Sequence, residues 1–132
     1  MNVTPDTNVL LRILVEDDLA QTAAALRMLE QAAKLAITLP ALCEMVWVLG
    51  QGYKLGRAEI ANAIRQLMDM DSAEMNRPAV EAGLRLLEAG GDFADGVIAH
   101  EGSWLGGEIF CSFDKRAVKL LVAAGEKAEL LA

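Results

Sequence analysis

Residues 108–125 read EIFCSFDKRAVKLLVAAG. The apolar and aromatic run 108–113 predicts a strand that ends on Asp114. KRAVKLLVAAG (115–125) then has helical periodicity and is closed by Gly125. A strand that runs straight into a helix is half of a βα unit, and a carboxylate stands at its junction. EKAELLA (126–132) is expected to add a last edge strand.

The same order recurs along the chain. Residues 2–5 are expected to form a short strand ending at Asp6, and 7–15 a short helix. Residues 16–34 predict a helix capped by Asp17 or Asp18, with Leu19, Ala23, Leu26, Leu29 and Ala33 along its apolar face. A strand over 35–40 is stopped by Pro40, and an apolar helix follows over 41–53. Residues 56–70 are amphipathic, with Ile60, Ile64, Leu67 and Met68 on one face. A short strand over 72–76, a helix from Pro78 through Leu87 and a helix over 92–106 complete the series. Gly90–Gly91 reads as a helix stop. Strands alternating with helices imply an α/β fold with a mainly parallel sheet and helices on both faces. In such a sheet a ligand sits outside the carboxyl ends of the strands.

The chain has 132 residues, 54% of them hydrophobic and 23% charged. That is enough for one globular domain with a sizeable core. Its apolar runs are too interrupted for a membrane span, which needs about 20 apolar residues. The N-terminus has no basic region and reaches acid at Asp6, so no leader is expected and the cytoplasm is the expected compartment. Cys43 and Cys111 are expected to be buried free thiols. The net charge of −7 argues against sequence-blind nucleic-acid binding through Lys and Arg. It is compatible with an enzyme that grips phosphate through bound cations.

The candidate chemistry lies in the acids. Asp6 and Asp114 follow strands, and each has a bland reading as a helix cap. Glu44 is the one charged residue in ALCEMVWVL (41–49). It is either a solvent-facing point on the helix or a carboxylate aimed into a cleft. Asp92 and Asp95 open the helix 92–106, where charge also complements the helix dipole. Separately, each acid can be structural. Jointly, the topology would bring them to one sheet edge, where neighbouring carboxylates repel unless a cation neutralises them. Oxygen-only ligation suits Mg²⁺ or Mn²⁺. Such an ion lowers the pKa of water, orients it in line and stabilises the leaving oxygen of a phosphodiester. Ser112 is expected to hydrogen-bond near the metal or a neighbouring carboxylate. His100 has no metal-ligand partner at zinc spacing and reads as structural. Trp47 reads as core, and Trp104 as uncertain, with a subunit contact as one placement. No nucleophile elbow, P-loop or dinucleotide fingerprint occurs.

PDTNVLLRIL, LCEMVWVL, DFADGVIA and CSFDKRAVKL, in this order, resemble the PIN-domain ribonucleases and, more narrowly, the VapC-type toxins of bacterial toxin–antitoxin pairs. The resemblance covers nearly the whole chain. It implies a three-layer α/β/α sandwich with a short, mainly parallel central sheet, and Mg²⁺- or Mn²⁺-dependent cleavage of RNA, with transfer or ribosomal RNA as substrate. Asp6, Glu44, Asp95 and Asp114 match the acidic cluster that holds the metal. Thr7, Asn8 and Ser112 match supporting positions, and Asp92 a secondary acid. Arg12, Lys115, Arg116 and Lys119 are candidates for flanking RNA phosphates, with a solvated helix face as the alternative. The resemblance further implies a cognate antitoxin and a homodimer.

Two residues depart from the family pattern. Pro5 stands where an aliphatic strand residue is usual, so the first strand is expected to end early or distort. Gly96 stands where alanine is common, at an expected cost of about 1 kcal/mol in a helix interior. A phosphatase of the haloacid-dehalogenase class would need a second Asp where Asn8 stands, and a receiver domain would need an Asp that LAITLP (35–40) lacks. A DNA or flap-type nuclease shares the same ligands, and an inactive PIN-like scaffold is the non-enzymatic rival.

Overall fold

The computed structural model describes residues 1–132. They divide into two compact units, Met1–Asn76 and Arg77–Ala132. No helix is long and apolar enough to cross a membrane.

The first unit contains β1 (Asn2–Val3), α1 (Thr7–Leu14), α2 (Leu19–Gln31), β2 (Lys34–Ala36), α3 (Leu39–Gln51), α4 (Arg57–Met68) and β3 (Ala73–Glu74). Its three strands pair in parallel in the order β1-β2-β3, with Val3 opposite Leu35 and Leu35 opposite Ala73. Leu10, Leu35, Leu42, Met45, Leu49, Ile64 and Leu67 are fully buried. They bring α1, α3 and α4 into one core with the central strand. Proline has no amide for a sheet ladder, and β1 indeed stops at Val3, two residues before Pro5.

Helix starts in this unit are set by side-chain caps. Asp18 caps α2 through the Gln21 amide at 3.0 Å, and Thr38 caps α3 through the Ala41 amide at 3.3 Å. Pro40 was expected to stop a strand, but it lies in the first turn of α3. There its missing amide is harmless, because that amide would have no intrahelical partner. In α4, Glu59 reaches back to accept the Gly56 amide at 3.2 Å.

Two faces are rotated from expectation. On α2 the buried residues are Thr22 and Ala25, while Leu19 is 80% exposed. Alanines at 20, 23, 24 and 25 make several faces of this helix nearly equivalent, so its apolar period is weak. On α3 the buried stripe is Ala41, Leu42, Met45, Val46 and Leu49. Trp47, expected in the core, is 67% exposed on the opposite face.

The second unit contains α5 (Arg77–Glu88), α6 (Phe93–Trp104), β4 (Phe110–Ser112), α7 (Lys115–Ala123) and β5 (Ala128–Leu130). β4 and β5 pair in parallel, with Cys111 opposite Glu129. The expected single sheet is thus present as two hydrogen-bonded sheets, both wholly parallel. Cys43 and Cys111 are free, but Cys43 is half-buried and Cys111 exposed, against the expectation of burial. Cys111 lies on a strand of a two-stranded sheet, so its flanks are not both covered.

The core of this unit is the contact of α5 with α6, around fully buried Phe93 and Val80. It depends on two glycines. A Cβ on Gly83 would lie 2.6 Å from the Phe93 ring, and one on Gly96 would lie 2.6 Å from the Ala82 carbonyl oxygen. Gly96 is therefore required by close backbone packing. The propensity cost assigned to it is offset by the approach it permits. At the end of α5, Gly90 adopts φ +102°, and the Gly91 amide donates to the Leu86 carbonyl at 2.8 Å, which stops the helix as expected.

Gly96→Ala should destabilise the protein by about 1–3 kcal/mol through overpacking. Gly102, also on α6, has nothing within 4 Å of its Cβ position. Gly102→Ala should instead stabilise by about 0.5–1 kcal/mol. Urea unfolding of the two variants distinguishes packing from propensity. Equal effects would refute the packing assignment.

Candidate functional site

The sequence-derived acids fall on both units. In the first, Asp6 follows β1 and caps α1, its Oδ1 accepting the Val9 amide at 3.0 Å. β1 and β2 are parallel neighbours, so α1 and α3 both start from the carboxyl edge of this sheet, and the two helices pack together. Glu44 lies in the second turn of α3. It is exposed, beside Trp47 and opposite the buried stripe. Of the two readings of Glu44, the solvent-facing one matches its exposure: the one charge in an otherwise apolar helix lies on the outer face.

In the second unit, Asp92 caps α6 through the Ala94 amide at 3.1 Å. Asp114 caps α7, its Oδ1 accepting the amides of Arg116 at 2.9 Å and Ala117 at 3.2 Å. Ser112 braces this junction differently from expectation. Its Oγ accepts the Asp114 backbone amide at 2.9 Å and makes no bond to a carboxylate. Asp95 lies one turn into α6 and is half-buried. Burial first, then the charges of Asp92 and Asp114, push its carboxyl above the ordinary carboxylate range. These three acids therefore share one local field.

The capping and ligand readings do not exclude one another. Asp6, Asp92 and Asp114 each use Oδ1 for backbone amides, and a carboxylate has a second oxygen with further acceptor capacity. Within neither unit are three or more Asp, Glu, His or Cys side chains grouped so as to hold a metal ion. No metal centre is thus assembled inside a single unit. The donor chemistry itself fits a hard divalent cation. All five candidates are carboxylates, with no sulfur or imidazole among them. The raised pKa of Asp95 comes first from burial and then from the like charge of Asp92 and Asp114, and a cation would offset the latter.

Of the supporting residues, Thr7 is buried at the first position of α1 and Asn8 is exposed beside it. Lys115, Arg116 and Lys119 are exposed on α7, and the Arg116 guanidinium lies over Gly90. Arg12 has partners within its own unit. Its Nη1 donates to Asp17 Oδ1 at 3.0 Å and to the Tyr53 hydroxyl at 3.3 Å, and its Nε to Gln21 Oε1 at 2.6 Å. The Tyr53 hydroxyl donates in turn to Asp17 Oδ2 at 2.6 Å. That bond lowers the Asp17 pKa, partial desolvation opposes it, and the Arg12 charge adds to the lowering. Sequence reasoning missed Asp17, Gln21 and Tyr53 as a group. The one available signal was that the chain's sole tyrosine follows the glycine-rich end of an apolar helix.

The family model described as PIN domain matches residues 3–121. The chain belongs to the PIN-domain family. No curated protein matches its sequence. PIN domains are generally metal-dependent nucleases, so the acids at the strand–helix junctions of this PIN domain are its candidate site.

A raised carboxyl pKa has a defined consequence for stability. The native protein holds the Asp95 proton more tightly than the unfolded chain, whose carboxyl titrates near about 3.9. Stability should therefore fall as pH rises from that value through the native pKa of Asp95, then level off. In EDTA at neutral pH, Asp95→Asn should melt above the wild type and lose this pH-dependent component. A lower melting temperature for the variant throughout that range would show that Asp95 is not crowded.

Proposed function

We propose that this PIN domain is a VapC-type toxin, an endoribonuclease that hydrolyses RNA phosphodiester bonds with Mg²⁺ or Mn²⁺ and is neutralised by a cognate antitoxin. The observation that carries the reading is Asp95, half-buried in the combined field of Asp92 and Asp114 in a chain of this family. Carboxylates perturbed by burial together with neighbouring charge cluster at functional sites.

Asp6, Glu44, Asp95 and Asp114 would hold the ion, with Asp92 as a secondary donor. The bound ion would supply an activated water and charge compensation at the leaving oxygen. The chain's own residues prepare the site in other ways. The cap bonds of Asp6 and Asp114 hold their carboxylates in one orientation before anything binds. Ser112 fixes the backbone at Asp114. Lys115 and Lys119, exposed just beyond Asp114, would contact phosphates flanking the cut. With a net charge of −7, the protein alone repels RNA, so productive binding depends on the cation and on a substrate of particular shape.

The same reading includes a three-layer α/β/α sandwich, a homodimer, a cytoplasmic location, and transfer or ribosomal RNA as substrate. An antitoxin would cover the acids with a cationic side chain. Apolar surface for partner proteins is available, since Trp47 is 67% and Trp104 78% exposed. An inactive scaffold is the second reading. It is favoured by the capping roles of Asp6, Asp92 and Asp114, which would preserve these acids without catalysis.

Asn caps a helix about as well as Asp, so Asp6→Asn and Asp114→Asn remove charge while keeping the junctions. Both should abolish cleavage of a tRNA and rRNA pool in Mg²⁺ or Mn²⁺, with unfolding free energies within about 0.5 kcal/mol of wild type. EDTA should abolish wild-type cleavage. Full activity in both variants would remove the acids from the mechanism. A wild type inactive on RNA but active on single-stranded or flapped DNA would replace the ribonuclease reading. Inactivity on both would favour the scaffold.

A further inference from the structure

A hollow of about 530 Å³ opens beside Asp6 in the first unit, bounded by the β1–α1 junction on one side and α2 on the other. Pro5, Val9, Ala24 and Met28 give it apolar walls. Asn8, Arg12 and Gln21 also line it. None of the features assigned above to metal or phosphate explains this space.

Its charge argues against a phosphate site. Arg12, the one cation lining it, is already paired with Asp17 at 3.0 Å, and Asp6 adds a negative charge. An anion would therefore meet no free cation and one carboxylate. The walls favour an uncharged, partly apolar ligand, and the uncharged polar groups left over are the Thr4 hydroxyl and the amides of Asn8 and Gln21. Gln21 Oε1 is occupied by the Arg12 Nε bond at 2.6 Å, so its amide nitrogen remains as a donor. Asn8 is exposed and makes no hydrogen bond through its side chain, leaving both a donor and an acceptor. Asn and Gln are the side chains that pair with base edges, and unpaired RNA bases are read by such contacts together with packing on their faces. A cavity of this size is in the range of about 300–1,000 Å³ that holds a small organic ligand.

We propose that this hollow is a base pocket. It seats one unpaired nucleobase of the substrate strand next to Asp6, with Gln21 donating to a ring carbonyl and Asn8 pairing with the adjacent edge. Arg12 acts as a positioning residue, since its bond to Oε1 fixes which end of the Gln21 amide is offered. The pocket makes the protein selective for a single-stranded segment and supplies binding that its net charge denies it. This inference rests on the nuclease reading for the identity of the ligand, but its test does not depend on turnover.

The test is titration of the full-length protein with uridine, followed by backbone amide NMR in EDTA, with ribose 5-phosphate as the phosphate-only probe. Uridine should shift Val9, Gln21 and Met28, and ribose 5-phosphate should leave them unmoved. Ala24 is exposed on α2, so Ala24→Trp fills the hollow without touching the acids or the core. It should weaken uridine binding by at least about tenfold. In the RNA cleavage assay, Ala24→Trp should raise KM more than it lowers kcat, whereas Asp114→Asn abolishes turnover. Uridine shifts without any RNA cleavage would retain the pocket and refute the nuclease. Cleavage with no uridine shifts, shifts by ribose 5-phosphate alone, or unchanged uridine binding in a folded Ala24→Trp protein would overturn the pocket.

Discussion

Four helices in this protein begin on an aspartate whose Oδ1 accepts backbone amides, α1, α2, α6 and α7. A helix start leaves amides without intrahelical partners, and a carboxylate there also complements the dipole. Asp6 and Asp114 come at the end of parallel strands, so the fold needs an acceptor where an α/β sheet presents its ligand-binding edge. One carboxylate oxygen satisfies the backbone, and the other remains outside the helix. The acids are thus held in place by folding before any cation arrives. The cap and the candidate site thus fall on the same residues.

This double role explains how the sequence could be read. The βα pattern was visible because strand runs, capping residues and glycine stops agree with one another at each boundary. Asp18, Asp92, Asp114 and Gly90 behave as local chemistry dictates. Pro5 shortened the first strand as its missing amide requires. Side-chain direction was less legible wherever periodicity was weak. Alanine-rich α2 offered no strong face, so Leu19 was assigned to a core from which it is excluded. In α3 the run of apolar residues hid the fact that Glu44 itself identified the outer face, carrying Trp47 with it. For the candidate site, the identity of the acids and their places at helix starts were readable. Their mutual geometry was not, because it depends on how separate elements pack.

Arg12 shows what charge type alone leaves unread. A basic residue six positions after Asp6 suggests a phosphate ligand. The structure instead joins it to Asp17, Gln21 and Tyr53, linking α1 to the start of α2 and the end of α3. Those partners lie 5, 9 and 41 residues away, and the last separation has no periodic signature in sequence. Arg12 is therefore committed to contacts within its own unit.

The glycine pair in α5 and α6 bears on the site through Asp95. Gly96 follows Asp95 directly, and its Cα side faces the Ala82 carbonyl so closely that no Cβ fits. α6 therefore has little freedom to rotate or withdraw at this turn, and Asp95 is held half-buried, where burial first and then the charges of Asp92 and Asp114 raise its pKa. Packing energy keeps the carboxylate where electrostatics alone would not. A looser contact, with alanine accommodated by separation of the helices, would relax that crowding. In this chain, the tightest packing in the second unit and the least comfortable carboxylate are adjacent residues, and the first maintains the second.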